Sequence, residues 1–193
     1  MVPPARGGRN QLRIIGGRWR SRRLPFAPLP ALRPTPDRVR ETLFNWLAPV
    51  ISGARCLDLF AGSGALGMEA LSRGAAAVCF VEADAVCVAT LRDNLARLDC
   101  HEGDVVQADV MAWLQGAPRR HDIVFVDPPY HGGLLGPVCE RLAAGWVATG
   151  SLIYMERAAD EPPPPLPAGW RVRREKRAGQ VAYTLLEVAG DGV

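Results

Sequence analysis

The chain has 193 residues, 48% of them hydrophobic and 22% charged, which is the composition of a globular protein with one sizeable core and little more. Its longest apolar run, Ala75 to Val81, is too short to span a bilayer. The net charge of +3 hides an asymmetry: residues 1–40 carry ten arginines against the single acid Asp37, whereas the remainder carries thirteen basic and nineteen acidic side chains. A basic arm on a mildly acidic body is the pattern of a polyanion-binding element, with a merely solvated arginine-rich tail as the alternative.

In chain order, residues 1–11 are rich in proline, glycine and arginine and are expected to be disordered when free. Leu12 to Ile15, the pair Gly16-Gly17, and Arg18 to Leu24 predict a β-hairpin turning on the two glycines. Pro25 to Leu32 is a proline-punctuated linker, so a basic arm and hairpin extension (residues 1–32) is expected to precede the main domain (residues 33–193). A helix is predicted after Thr35, with Thr35 as N-cap, Pro36 at the first helical position and Pro49 as its end; Val39, Leu43, Phe44, Trp46 and Leu47 share one face.

From residue 55 the pattern alternates. Strands are predicted at Arg55–Phe60, Ala77–Glu82, Asp104–Ala108, Asp122–Val126 and Ser151–Glu156. Helices are predicted at Ala65–Arg73, Ala85–Leu98, Val110–Gln115 and Leu134–Ala144. Such β-α units predict a parallel, doubly wound α/β sheet. The closing strand-like segments Arg171–Lys176 and Val181–Val188 stand in place of a further βα unit and make the sheet mixed. The N-terminus shows no apolar h-region, so a cytoplasmic location is expected. Five cysteines without a C-x-x-C pair suggest reduced, mostly buried thiols, and neither they nor His101, His121 and His131 have metal-ligand spacing.

Two motifs carry chemistry. The first, Leu57-Asp58-Leu59-Phe60-Ala61-Gly62-Ser63-Gly64-Ala65-Leu66-Gly67, runs from a strand into a helix, where glycines let the backbone approach a ligand. Gly62, Gly64 and Gly67 also satisfy the dinucleotide fingerprint. Asp58, four residues before the first glycine, suits an ammonium group and would repel a pyrophosphate. Glu82, at the end of the second strand of the alternation, can accept bonds from ribose hydroxyls in either kind of ligand. Asp109 can receive an adenine amino group, with the Val110 amide facing a ring nitrogen, or can cap the helix that follows.

The second motif, Asp127-Pro128-Pro129-Tyr130, directly follows the apolar strand Ile123-Val124-Phe125-Val126. Consecutive prolines fix the backbone, so the Asp127 carboxylate and the Pro128 carbonyl can be aimed at the two hydrogens of a planar amine. Tyr130 offers a face for base stacking. Together they predict methyl transfer from S-adenosylmethionine to an exocyclic amine of a base. The proton leaves through Asp127 or after transfer.

The sequence resembles the RsmD family of bacterial 16S rRNA guanine-N2 methyltransferases over nearly its whole length. The resemblance rests on Arg13-Ile14-Ile15-Gly16-Gly17-Arg18-Trp19-Arg20, on Leu32-Arg33-Pro34-Thr35-Pro36-Asp37-Arg38-Val39-Arg40-Glu41-Thr42-Leu43-Phe44-Asn45-Trp46-Leu47, on the two motifs above, and on Ala178-Gly179-Gln180-Val181-Ala182-Tyr183. It implies a Rossmann-like class I methyltransferase fold with a seven-stranded mixed sheet and an N-terminal β-hairpin. The substrate it implies is 16S rRNA within the small subunit or an assembly intermediate, handled by a monomer without metal or membrane. It further implies that Thr35 or Arg38 contacts the methionine moiety, beside Asp58, Phe60, Gly62, Gly64, Glu82, Asp109 and Val110 as the cofactor set. Arg13, Arg18, Arg20, Arg22 and Arg23 of the hairpin are then expected to grip phosphates. An adenine-N6 DNA methyltransferase, a non-catalytic RNA-binding assembly factor and an NAD-dependent dehydrogenase are the competing readings.

Overall fold

The computed structural model describes residues 10–29, 32 and 34–190. The disorder expected over the first residues therefore falls almost wholly outside the described part. Strands β1 (Gln11–Arg13) and β2 (Arg23–Pro25) pair antiparallel, followed by helix α1 (Asp37–Leu47). The alternation then runs β3 (Arg55–Leu59), α2 (Ala65–Ser72), β4 (Ala77–Glu82), α3 (Ala85–Arg97), β5 (Gly103–Gln107), α4 (Val110–Trp113), β6 (Ile123–Val126), α5 (Leu135–Ala143) and β7 (Leu152–Ala158). The long strands β8 (Trp170–Ala178) and β9 (Val181–Val188) end it.

The main sheet has the order β5-β4-β3-β6-β7-β9-β8. The first five strands are parallel, and β9 is antiparallel to both its neighbours, so the sheet is seven-stranded and mixed. Alternation along the strands sorts the core onto two faces. Ile123, Phe125, Leu152 and Tyr154 face a cluster built with α1, α2 and α3. Val124, Val126, Ile153 and Met155 face a second cluster built with α4 and α5. All four residues of β6 are buried, as expected of a central parallel strand covered on both sides.

Two local expectations are corrected. The hairpin does not turn on Gly16-Gly17: Gly17–Trp19 form a 3-10 turn, and the return strand begins only at Arg23. The cause is Trp19, which is buried in the α1–α3 cluster and draws the connection inward. Gly17 has φ +75, and a Cβ there would lie 1.9 Å from the Ser72 carbonyl oxygen, so this glycine serves close docking on α2. The second correction is at α1, where Pro36 occupies the N-cap position without a side-chain cap and Asp37 is the first helical residue. The Pro36 carbonyl accepts the Val39 and Arg40 amides, while Thr35 is buried and turned elsewhere.

The hairpin is fixed to the sheet domain at several points. The Asn94 amide donates to the Pro25 carbonyl at 2.8 Å, and the Trp19 amide donates to Ser72 Oγ at 3.0 Å. Every residue of α2 is buried, because the sheet covers one side of this helix and the hairpin the other.

Candidate active site

Each of the five parallel strands delivers a carboxyl group to the same end of the sheet. Asp58 is the fourth residue of β3, Glu82 ends β4, Asp109 lies just beyond β5, Asp127 follows β6 directly, and Glu156 is the fifth residue of β7. Because β3 pairs with β4 on one side and β6 on the other, the loops after β3 and β6 diverge from a topological switch point, where open α/β sheets bind ligands.

The glycine loop has the open backbone that its sequence predicts. Phe60, Gly62 and Gly64 all have positive φ (61, 52 and 76). Gly64 is the left-handed N-cap of α2, and a Cβ there would meet Leu91 Cδ2 at 2.4 Å, so no side chain fits. Glu82 accepts the Gly62 amide at 2.7 Å and the Asp84 amide at 2.8 Å, which ties the loops after β3 and β4 together. Asp58 is buried, and its Oδ2 accepts the Gly67 amide at 2.9 Å. Burial pushes its carboxyl up to about 8, and Glu82 adds to the rise against the Gly67 hydrogen bond. Asp109 caps α4 by accepting the Ala112 amide at 2.9 Å and is exposed, while Val110 is buried.

Asp127 stands beside Glu156, since Val126 is in register with Met155 across β6 and β7. Both acids belong to the face of the sheet covered by α1. Burial holds the Asp127 carboxyl well above the ordinary range, and the neighbouring Glu156 and Asp58 push it the same way. Burial raises Glu156 as well, opposed by the hydroxyls of Tyr154, Thr35 and Tyr130. The Thr35 hydroxyl favours ionisation of both acids. Pro128 is buried, whereas Tyr130 is 41% exposed with its ring at the mouth. Pro128, Pro129, Tyr130, Glu156, Arg157 and Glu161 contribute to a cavity of about 370 Å³, walled on its far side by Pro162 to Pro165.

A buried ion network, whose residue roles the sequence did not disclose, supports this group. Arg40 is 1% exposed; it donates to the Thr35 carbonyl at 3.1 Å, the Arg13 carbonyl at 2.9 Å, Asp37 at 2.6 Å and Glu69 at 3.4 Å. Glu69, with no exposure, also accepts the Ile15 and Gly16 amides and the Arg73 guanidinium. One guanidinium thus fixes Thr35, the hairpin and α2 relative to one another. Arg38 lies exposed on the first turn of α1.

All five hairpin arginines are exposed. Arg13 is paired with Asp37 and Arg18 with Glu102, while no acid among the described residues pairs with Arg20, Arg22 or Arg23. A second basic strip, absent from the sequence reading, runs along the edge strand β8. Arg171, Arg173, Arg174, Lys176 and Arg177 are exposed there, and only Arg173 among them is paired, to Glu187. Charged residues along an unpaired edge also block sheet-to-sheet association.

Among the described residues no cluster of His, Cys, Asp and Glu is placed to hold a metal ion, and no helix is long and apolar enough to cross a membrane. The five cysteines are free, and all but Cys79 are buried.

An α/β sheet of this order, with a glycine loop and an acid-lined switch point, defines a Rossmann-like methyltransferase. The solved structure of the methyltransferase yhhF from Escherichia coli superimposes with a TM-score of 0.88 at 49% identity, covering 94% of this chain and 100% of that one. Residues 12–187 match the family model described as conserved hypothetical protein 95, and the chain belongs to that family, the RsmD family. Ribosomal RNA small subunit methyltransferase D of Escherichia coli is 51% identical over 193 residues, covering 100% of this chain and 98% of that protein. Its namesake from Haemophilus influenzae is 42% identical, covering 96% and 97%.

Proposed function

We propose that this protein methylates the exocyclic N2 of one guanine in 16S rRNA, using S-adenosylmethionine and acting on the small subunit or an assembly intermediate. The observation that carries this reading is the proline-fixed Asp127–Tyr130 loop at the end of the sheet where five parallel strands each deliver an acid. Carboxyls suit a ligand bearing ammonium and sulfonium charges and repel a pyrophosphate, which disfavours a dinucleotide at the same glycines.

The residues fit this cofactor. Asp58 would answer its ammonium group, Glu82 its ribose and Asp109 with Val110 its adenine, over the open backbone of Phe60, Gly62 and Gly64. Thr35 serves the two acceptor carboxyls, and Arg38 is left to reach the methionine carboxylate. When bound, the cofactor supplies a methyl group on a positively charged sulfur.

The protein's part is orientation. The Asp127 carboxylate and the Pro128 carbonyl accept the two N2 hydrogens, which turns the nitrogen lone pair out of conjugation and towards the methyl carbon. Tyr130 stacks on the base and fixes its plane. The methyl group held on the cofactor would pass to the nitrogen so oriented, and the proton this nitrogen loses would leave through Asp127 or to water. In an in-line displacement such positioning contributes most of the rate. The base, if paired in the subunit, is first turned out of its stack. Digestion of rRNA labelled with a methyl-tritiated cofactor is expected to yield N2-methylguanosine; recovery of N6-methyladenosine would reject the assignment.

The hairpin arginines would hold phosphates, which positions the RNA without reading its sequence. Because Trp19 and the Ile15 and Gly16 amides belong to the folded core, deletion of the hairpin would damage the fold, and point substitution is the cleaner test. Arg20, Arg22 and Arg23 replaced together by glutamine are expected to lower the slope of log affinity against log salt by about 2, at roughly 0.7 per lost phosphate contact. An unchanged slope would remove the hairpin from the interface.

A further inference from the structure

We infer that Glu156 is the residue that distinguishes guanine from other amino-purines, by accepting the N1–H of the base next to the amine being methylated. The inference rests on the proposed guanine-N2 reaction and adds a recognition site to it.

Glu156 has no part in orienting the amine, yet it is among the most costly residues in the crevice. It is 2% exposed, the fifth residue of a strand whose preceding residues Leu152 to Met155 are all buried. A buried carboxyl without a task would be cheaper as an apolar side chain. The group is not sealed in the core, because it helps to line the cavity formed with Pro128, Pro129 and Tyr130. Its Oε1 accepts the Tyr154 hydroxyl at 2.8 Å, and the Thr35 and Tyr130 hydroxyls also bear on the carboxyl. An ionised carboxylate has about four acceptor positions, so three hydroxyls leave about one for a ligand in the cavity that Glu156 helps to line.

The register across β6 and β7 places this capacity in line with the acceptors already assigned. Asp127 and Glu156 are neighbours across β6 and β7, the Thr35 hydroxyl bears on both, and together with the Pro128 carbonyl they would offer a row of acceptors. The Watson–Crick edge of guanine presents a matching row of donors, the two N2 hydrogens and then N1–H. Adenine and 2-aminopurine present a bare N1 in the same place. Against Glu156 that lone pair would leave a buried carboxylate facing another acceptor, the kind of mismatch by which polar sites reject close analogues. Donation from N1–H also favours the ionised form of a carboxyl that burial otherwise opposes.

Glutamine at this position reverses the pattern. Its amide oxygen can keep the Tyr154 hydroxyl, which turns the NH₂ group to the cavity, where it opposes N1–H and suits a bare N1. The test uses small subunits reconstituted around rRNA carrying either guanine or 2-aminopurine at the methylated position; both bases have the 2-amino group. Wild-type protein is expected to prefer guanine by at least about 10² in kcat/KM, and Glu156→Gln is expected to reduce that preference at least tenfold, with part of the change a gain on 2-aminopurine. A purely structural role would slow both substrates alike and leave their ratio fixed, and that result overturns the inference. Equal use of the two bases by the wild-type protein overturns it without recourse to the variant. Failure of the underlying reaction is separately visible, because the wild-type protein would then leave the 2-amino group of both bases unmethylated.

Discussion

Asp127→Ala is expected to lower kcat by about 10²–10³, the scale for removing one preorganised polar contact from a transition state, while S-adenosylhomocysteine binding changes little. The reason lies in the loop: Asp127 follows β6 directly and its backbone is fixed by Pro128, so its acceptor is preorganised for the amine. Rapid-quench turnover and calorimetric titration of the product nucleoside measure the two effects separately. A fall below tenfold would assign amine orientation to another residue. Asp127→Asn keeps one acceptor oxygen and is expected to lose less.

The pH profile separates these variants further. Asp127 is raised by burial, then by Glu156 and Asp58, and Glu156 is raised by burial against the hydroxyls of Tyr154, Thr35 and Tyr130. Both acids therefore retain protons above the ordinary carboxylate range, and the acceptor form is gained as pH rises. The wild-type rate is expected to climb with pH through this raised range and then level. The rise belongs to the Asp127–Glu156 pair as a unit; in Asp127→Asn the remaining acid Glu156 is still raised by burial, so the profile should keep its rise as a single step.

The largest loss of stability is expected from Glu69→Ala. The substitution takes the buried carboxylate from the Arg40 guanidinium, leaving it only the half-exposed Asp37, and leaves the Ile15 and Gly16 amides without their acceptor. Breaking a buried pair by removing one member costs about 3–5 kcal/mol, which for a chain of this size is a fall in Tm of roughly 2–4 °C per kcal/mol. Denaturant unfolding with a loss below 1 kcal/mol would show that the network is solvated in solution. Replacing Arg40 by Met and Glu69 by Leu together is expected to restore much of the loss, since no charge is then left buried alone. Turnover should stay low in the double variant, because the Thr35 carbonyl loses its anchor.

The sheet was legible in the sequence because each strand is a short apolar run ending in an acid or a turn, and parallel strands covered on both faces demand that pattern. Asp58, Glu82, Asp109 and Asp127 could be found for the same reason: each lies at the point where a strand runs out. Glu156 ends its predicted strand as Glu82 does, but no glycine or proline motif follows it, so nothing local gives it a role; the strand in fact runs on to Ala158. Only the pairing of β7 with β6 and β9 reveals that it is enclosed. The hairpin turn was misread because Gly16-Gly17 carries a strong local signal, and burial of Trp19 against distant helices outweighed it. Arg40 and Glu69 are 29 positions apart, and nothing local in an arginine-rich helix marks one guanidinium as buried. The basic strip on β8 escaped notice because its arginines are interleaved with apolar residues and Glu175 and carry no local motif.

The strand order β7-β9-β8 has a consequence for how this protein comes into being. Strand β9 is synthesised after β7 and β8 yet is inserted between them, so β8 has no partner in the sheet until β9 arrives. Until then β7 presents a bare, strongly apolar border, and Tyr154 lacks Tyr183 as its neighbour across the sheet face. The wall that carries Glu156 is therefore completed only once β9 has been made, and a product cut short before Val181 would have its cofactor loops but an unfinished base pocket and an adhesive edge.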